Sequence, residues 1–226
     1  ASQVNIIAKA TTGVVTATVA ANTADVLVEN LKDATATDLL TLIVTGTAKA
    51  TDLLTLDGKT SVNLNVNDVT TITGTAADVK KVYDAVGIAT QGDENIILTG
   101  TVKASDADAI ANATSGVVTA NIAAGTAAAL NTALVDAGGQ VNAYTLTVNG
   151  ATASAATLEL LNAKTSVDVQ VDASSVTGTF AELEALYVTN KADYANLGNE
   201  NVTVNGTSLA SQVNIIAKAT TGVVTA

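Results

Sequence analysis

Two short turns in the sequence bring oxygen-bearing side chains together in a pattern that could bind a divalent cation. Gly-Asp-Glu-Asn occurs at 92–95, and Gly-Asn-Glu-Asn occurs at 198–201. Carboxylate and amide oxygens are the ligands that Ca²⁺ prefers. The six candidate calcium ligands are Asp93, Glu94, Asn95, Asn199, Glu200 and Asn201. The alternative is an Asx-type turn at the start of a strand, in which the same side chains bond to nearby backbone groups.

The amino-acid composition argues against catalysis. The chain contains no His, Cys, Met, Trp or Pro, and all ten of its basic residues are Lys. Without His and Cys it lacks thiolate chemistry, disulfides and the usual zinc sites. Without Arg it lacks the planar group that binds phosphate in a bidentate manner. We therefore expect a protein that is not an enzyme and that has no resident cofactor, apart from the calcium considered above.

The charge and the hydropathy pattern limit the partners. The formal net charge is −11, which repels nucleic acid and anionic membrane surfaces. Because of this charge we expect no nucleic-acid partner. No run of 18 apolar residues is present, so we also expect no transmembrane segment. The hydrophobic fraction of 48% comes mostly from Ala, Val, Leu and Ile, with only five aromatic side chains. This composition is typical of thin aliphatic layers in a stacked repeat protein.

Internal repetition is the strongest feature of the sequence. The first seventeen residues, ASQVNIIAKATTGVVTA, return unchanged at 210–226, and a related SGVVTA lies at 115–120. The segment KTSVNLNVNDVTTITGT at 59–75 similarly resembles KTSVDVQVDASSVTGT at 164–179. We interpret 1–209 as one tandem repeat with two diverged halves, about 1–103 and 104–209, and 210–226 as the start of the next repeat. A designed terminal cap is the other explanation for the repeated seventeen residues.

A shorter motif indicates the elements within each half. An aliphatic residue, Thr or Asn, Gly, and then Thr or Ala recur six times, as in VTGT at 44–47, ITGT at 72–75 and VNGT at 204–207. Two weaker relatives, AANT at 20–23 and AAGT at 123–126, bring the total to eight. Alternating β-branched residues precede the Gly and predict a strand with one aliphatic and one Thr/Asn face. The Thr after the Gly is suited to cap a helix. The sequence therefore predicts an α/β fold, a right-handed β-α solenoid of about eight strand–Gly–Thr–helix turns with a parallel sheet.

Several local expectations follow from this pattern. Thr75 with Asp78, and Thr179 with Glu182, have the spacing of capping boxes. Helical spacing predicts three buried stripes. The first is Val79, Val82, Tyr83 and Val86, in a helix that ends at Gly87; the second is Leu183, Leu186 and Tyr187; the third is Leu209, Val213 and Ile216.

Two kinds of irregularity are also expected. The segments 60–73 and 165–177 are too long for one short strand, which predicts a bulge or corner near Asn67 and near Asp172. The stretches 87–94 and 188–199 have weak periodicity and are expected to be loops.

The chain resembles a known class of repeat protein. Acidic, Cys-free repeats rich in Thr, Ala, Val and Asn, with phrases such as VTGT, are similar to the tandem-repeat regions of very large bacterial surface proteins. These include cyanobacterial cell-surface proteins and adhesins of the type I-secreted class. The calcium-binding nonapeptide of that class, Gly-Gly-x-Gly-x-Asp, is absent, because GGQVNAYTL at 138–146 has only its first two glycines. The resemblance implies an extracellular, cell-surface location and an elongated structural or adhesive role.

Two functions therefore fit the sequence. The first is an extracellular structural module that forms a spacer, filament or surface array, with neighbouring repeats of the same protein as end-to-end partners. The second is an adhesive module, in which the Thr/Asn face of the sheet binds a glycan, ice or another cell surface. Near-identity between repeats favours the structural module, since a recognition surface usually varies at its contacts.

Overall fold

The structure is a computed structural model that describes residues 1–90, 92–135 and 141–226. Of the nonapeptide-like segment at 138–146, residues 138–140 lie outside the described residues. The described residues form nine α-helices, which are α1 (Ser2–Ala10), α2 (Ala24–Asn30), α3 (Ala50–Asp57), α4 (Ala76–Asp84), α5 (Ala104–Ala111), α6 (Ala127–Ala133), α7 (Ala155–Asn162), α8 (Phe180–Glu184) and α9 (Ala210–Ala219). A π-helical turn, Ala185–Thr189, and a 3₁₀ turn, Lys191–Asp193, follow α8.

One to three strands lie between successive helices, and most of them are short. They are β1 (Thr16–Thr18), β2 (Leu39–Thr41), β3 (Ile43–Lys49), β4 (Leu64–Gly74), β5 (Ile88–Ala89), β6 (Asn95–Val102), β7 (Val118–Ile122), β8 (Ala143–Thr145), β9 (Thr147–Val148), β10 (Ala153–Ser154), β11 (Val169–Val171), β12 (Ser175–Thr179), β13 (Tyr194–Ala195), β14 (Asn201–Asn205) and β15 (Val224–Thr225).

The chain divides into two compact units, one of residues 1–100 with 109–119, the other of residues 101–108 with 120–226. In the first unit β1 pairs with β2, and β3, β4 and β6 lie side by side in that order. In the second unit β9, β11 and β13 form one sheet, and β10, β12, β14 and β15 form another. These pairs are parallel, and no sheet of the described residues closes on itself. The expected α/β fold with parallel sheets is confirmed.

The strands have one aliphatic and one polar face, as their alternation predicted. In β14, Val202 and Val204 are buried, whereas Asn201, Thr203 and Asn205 are exposed. The helices pack beside the strands and beside one another in chain order, α2 with α3 and α4 in the first unit and α6 with α7, α8 and α9 in the second. The core between these layers consists mainly of Leu, Val, Ile and Ala side chains.

The Gly motif has two alternating roles, which corrects the expectation of one uniform turn. In one class, the residue after the motif Gly or Asn is an N-cap and the helix begins immediately; these caps are Thr23, Thr75, Thr126 and Thr179. In the other class the Gly has positive φ and the helix begins four or five residues later; these are Gly46, Gly100, Gly150 and Gly206. The left-handed conformation turns the chain away from a helical path, so further residues are needed before the helix starts.

The predicted helix caps are present in different forms. Thr179 and Glu182 make a full capping box, with the Glu182 carboxylate accepting from the Thr179 N–H at 2.7 Å. The Thr75 hydroxyl accepts from the Asp78 N–H at 3.2 Å and donates to the Asp78 carboxylate at 2.8 Å. This hydroxyl lowers the pKa of Asp78, because it stabilises the ionised carboxylate.

The predicted end of α4 is wrong. The helix stops at Asp84, and Val86 is 93% exposed instead of joining the buried stripe. The backbone φ of Gly87 is not positive, so this residue does not have the left-handed conformation of a helix-ending glycine. A Cβ at this position would lie 1.9 Å from the Asp57 Oδ1 atom, so a side chain there would require the Asp57 carboxylate to move. Leu209 is likewise the exposed N-cap of α9 and not part of its buried face.

The two predicted irregularities lie where they were expected. The register of β3 against β4 shifts between Ile43↔Asn65 and Thr45↔Asp68, which places an extra residue in β4 next to Asn67. The second long segment breaks after Val171, because β11 and β12 belong to different sheets on either side of Asp172. The segments expected to be loops, 87–94 and 188–199, instead contain the strands β5 and β13, which pair with β4 and β11. Strands of two residues are too short to give a periodic signal.

Candidate functional site

Two buried glutamates occupy equivalent positions in the two units, 106 positions apart at 94 and 200. Each one follows a tight turn and directly precedes a strand, Glu94 before β6 and Glu200 before β14. The turns use glycines with positive φ, 73° at Gly92 and 119° at Gly198. Burial of a carboxylate is costly unless hydrogen bonds stabilise it. These two side chains therefore need dedicated donors.

A tyrosine hydroxyl and a backbone N–H donate to each glutamate. The Glu200 Oε2 atom accepts from the Tyr187 hydroxyl at 3.0 Å and from the Gly198 N–H at 2.9 Å. The corresponding atom of Glu94 accepts from the Tyr83 hydroxyl at 3.3 Å and from the Gly92 N–H at 3.1 Å. We refer to these arrangements as the two glutamate–tyrosine pairs.

The two pairs differ in how completely they are enclosed. Tyr187 is fully buried in the π-helical turn after α8, whereas Tyr83 is half-buried at the end of α4. Burial, followed by the neighbouring glutamate carboxylate, raises the pKa of both tyrosines well above the usual value. The Glu200 Oε1 atom is buried and accepts no hydrogen bond from the described residues.

A threonine from the following segment bonds to the backbone of each glutamate. The Thr114 hydroxyl donates to the Glu94 carbonyl at 2.7 Å, and the Thr220 hydroxyl donates to the Glu200 carbonyl at 2.8 Å. Each threonine oxygen also accepts from the N–H two residues later, at 3.0 Å, which is the geometry of a Ser/Thr turn. The next segment of the chain is thereby fixed against the backbone of the glutamate.

Asparagine and glycine residues complete the contacts around each glutamate. The Asn95 side-chain oxygen accepts from the Val117 N–H at 2.9 Å, and the Asn201 oxygen accepts from the Val223 N–H at 2.9 Å. A Cβ at Gly116 would lie 2.3 Å from the Glu94 carbonyl oxygen, and one at Gly222 would lie 2.1 Å from that of Glu200. Both glycines are therefore required by close backbone contact. We call these two assemblies the Glu94 junction and the Glu200 junction.

Related contacts occur at two further places. The Thr60 hydroxyl donates to the Leu40 carbonyl at 2.8 Å, and the Thr165 hydroxyl donates to the Tyr144 carbonyl at 2.7 Å. The buried Asp38 carboxylate accepts from the Val15 N–H at 2.8 Å, and this bond is the main cause of its lowered pKa. Sequence reasoning did not identify these threonines or Tyr187 as polar partners. The available signal was the recurring pair Thr-Ser or Thr-Thr at residues 11, 60, 114, 165 and 220.

The six predicted calcium ligands have different surroundings in the structure. Asp93 and Asn199 are exposed at the turns, whereas the side chains of Glu94, Glu200, Asn95 and Asn201 accept the hydrogen bonds described above. Among the described residues, no three His, Cys, Asp or Glu side chains converge on one point. Calcium binding at these turns stays a prediction.

Comparison of the chain with family models, curated proteins and solved structures finds no match. Within the described part of the chain, no helix combines the length and the apolar character needed to cross a membrane.

Proposed function

We propose that the chain is an extracellular structural repeat module, which forms a spacer, filament or surface array in a very large bacterial surface protein. In this proposal the fold is a right-handed β-α solenoid of about eight turns, extended end to end by neighbouring repeats of the same protein. It acts without catalysis, cofactor or nucleic acid. The acidic surface, with a net charge of −11, favours a solvated chain that does not adhere to other acidic surfaces.

The observation that carries this proposal is the equivalence of the Glu94 and Glu200 junctions. At the first junction, residues 114–117 contact the glutamate turn and the chain then continues through further strands and helices. At the second junction, residues 220–223 make the same contacts. Those residues belong to the segment that is identical to residues 1–17. In the proposed array, the Glu200 junction therefore receives the beginning of the next repeat.

A chain in which 1–209 is duplicated ahead of 210–226 tests the structural role. In a solenoid each repeat packs on its neighbour, so small-angle X-ray scattering should give about twice the maximum dimension of the present chain. Thermal unfolding should remain cooperative, with a midpoint at least as high. The proposal fails if the two copies scatter as independent bodies joined by a flexible segment.

One observation favours the adhesive alternative. A shallow groove of about 340 Å³ is lined by hydroxyl and charged side chains: Thr23, Asp25, Thr47, Lys49, Asp52 and Thr73. Hydroxyl, carboxylate and ammonium groups are suited to hydrogen-bond a sugar. A glycan array with the present chain tests this, with a Thr47→Val and Thr73→Val double variant as the control. An ice-recrystallisation assay with the same two chains tests whether these polar side chains bind ice. Glycan binding that the double variant loses would favour the adhesive role.

A further inference from the structure

The same seventeen residues occur in two different surroundings within one chain. In the copy at 210–226, Ile216 is 0% exposed, and Thr220 is buried at the Glu200 junction. In the copy at 1–17, the equivalent Ile7 is 57% exposed, and the equivalent Thr11 is also exposed. Since the two sequences are identical, the difference is caused only by what covers them. In this structure the copy at 1–17 leaves exposed the apolar and hydroxyl side chains that the copy at 210–226 buries.

The related segment in the middle of the chain shows this face when it is covered. By alignment of SGVVTA at 115–120 with TGVVTA at 12–17, Ile110 and Thr114 correspond to Ile7 and Thr11. Ile110 is 3% exposed, and Thr114 is buried at the Glu94 junction. Coverage of this face is therefore the usual state of the motif wherever a junction precedes it.

The surface that covers the segment 210–226 is defined by contacts. Helix α9 packs on α8 and on the π-helical turn, and β15 pairs with β14 through Val202↔Val224 and Thr203↔Thr225. Backbone bonds join Thr221 N–H to the Gly198 carbonyl at 2.8 Å and Val202 N–H to the Val223 carbonyl at 2.8 Å. We call this surface, formed by residues 180–205, the acceptor surface. It recognises seventeen residues that the chain carries twice.

We propose that residues 1–17 are a docking segment for a second copy of this chain, where they occupy the acceptor surface in place of that copy's own residues 210–226. This inference rests on the proposed end-to-end role and identifies the residues that perform it. The contact joins two different surfaces, so it is heterologous and propagates beyond a dimer into open chains unless it closes into a ring.

Competition within each molecule controls the association. Residues 210–226 are tethered to the acceptor surface at an effective concentration of about 1 mM or more. A second copy at micromolar concentration competes with this tethered segment and is outnumbered by about 10³. The wild-type chain is therefore monomeric at micromolar concentration, and association begins when residues 210–226 leave the surface.

Two glycines allow the two copies of the segment to be blocked separately. A Cβ at Gly222 would lie 2.1 Å from the Glu200 carbonyl oxygen, so Gly222→Ala displaces the chain's own segment. The equivalent Gly13 has only the Thr11 Oγ1 atom near its Cβ position, at 3.4 Å, which is an ordinary contact. Gly13→Ala therefore leaves the monomer unchanged but prevents residues 1–17 from docking on another molecule. The two variants form a matched pair with the same chemical change.

Sedimentation velocity from about 1 to 100 μM distinguishes the outcomes. We expect the wild type and Gly13→Ala to stay monomeric, Gly222→Ala to form oligomers that grow with concentration, and the Gly13→Ala/Gly222→Ala double variant to stay monomeric. A synthetic peptide of residues 1–17 should dissociate the Gly222→Ala oligomers, and the same peptide with Ala at position 13 should not. The inference is overturned if Gly222→Ala is monomeric, or if the double variant associates equally.

A second variant protects the test against misfolding. Ile216→Asp places a carboxylate at a fully buried position of the chain's own segment while Ile7 is unchanged, so it should associate as Gly222→Ala does. Loss of far-UV circular dichroism by more than one helix in both variants would also overturn the inference, because the acceptor surface would then not persist without its segment. Monomeric variants alongside an extended duplicated chain would refute the exchange but leave the structural role intact.

Discussion

Removal of one hydroxyl group, in Tyr187→Phe, probes the Glu200 junction most directly. Tyr187 is fully buried, and its hydroxyl is one of two donors to the Glu200 Oε2 atom. The substitution preserves the ring and its packing, so it creates almost no cavity. It leaves a buried carboxylate with a single donor among these contacts.

The expected cost follows from the geometry of the bond. A hydrogen bond of 3.0 Å to a charged acceptor contributes about 1.5–3 kcal/mol, and we expect Tyr187→Phe to lower the free energy of unfolding by about 2 kcal/mol. For a chain of 226 residues this corresponds to a melting temperature lower by about 4–8 °C. The matched variant Tyr83→Phe removes a longer bond of 3.3 Å from a half-buried ring and should cost about 1 kcal/mol or less.

Urea denaturation followed by far-UV circular dichroism measures both variants, with the slope m as a check on two-state behaviour. Glu200→Gln serves as a third variant, because its amide oxygen still accepts both hydrogen bonds while the buried charge is removed. It should cost less than Tyr187→Phe. If Tyr187→Phe is neutral, or if Tyr83→Phe costs more than Tyr187→Phe, the hydroxyl does not stabilise the buried carboxylate and the reasoning fails.

Three further predictions concern the sheet, the tyrosines and calcium. Val204→Asp should lower the free energy of unfolding by about 3–5 kcal/mol, because it buries an unpaired charge. Thr203→Asp changes an exposed residue and should alter this free energy little. Equal melting temperatures of the two variants would refute the one-sided sheet. The raised pKa of the buried tyrosines means that the neutral phenol is favoured in the folded state. Their contribution to stability is thus complete below about pH 10 and is lost as the pH rises towards the raised pKa. Tyrosinate absorbance at 295 nm should accordingly appear at higher pH in the folded chain than in urea, and coincident curves would contradict this. Calcium at millimolar concentration should shift the unfolding temperature only slightly. A site of micromolar affinity would instead stabilise the folded chain by about 4 kcal/mol, so a large shift reversed by EDTA would indicate that the glutamate turns bind calcium.

Much of the fold could be predicted because its signals are local. The strand faces of β14, the cap at Thr179 and the irregularities near Asn67 and Asp172 all follow from alternation, hydroxyl spacing or segment length. The end of α4 could not be predicted, because Gly87 does not cap the helix and lies against the side chain of Asp57, thirty positions earlier. Contacts between distant segments leave no periodic signal in either one.

The candidate site was only partly predictable for the same reason. The two glutamate turns were recognisable as unusual polar clusters, but no local pattern indicated that the glutamates are buried. Their burial depends on Tyr83 and Tyr187, which precede them by eleven and thirteen positions, and on threonines twenty positions later. The alternating turns were also unpredictable, since the same Gly-Thr pair adopts positive φ at Gly46 but not at Gly74. At Gly74 an added Cβ would lie 3.0 Å from the Ala50 Cβ, whereas at Gly46 it would meet no atom within 4 Å.

The polar junctions solve a problem that the aliphatic core leaves open. A strand that slides by one residue against its neighbour exposes its aliphatic face, but a slide by two residues restores the alternation. The two buried side chains of β14 are both Val, and the half-buried side chain of β15 is also Val, so packing alone distinguishes poorly between the correct register and a shift of two. At the Glu200 junction such a shift would bring Thr220 or Val224 to the position of Gly222. A Cβ at that position would lie 2.1 Å from the Glu200 carbonyl oxygen. It would also remove the acceptor of the Thr220 hydroxyl. One glycine and one threonine thus favour a single register at each junction, as the proposed array of repeats would require.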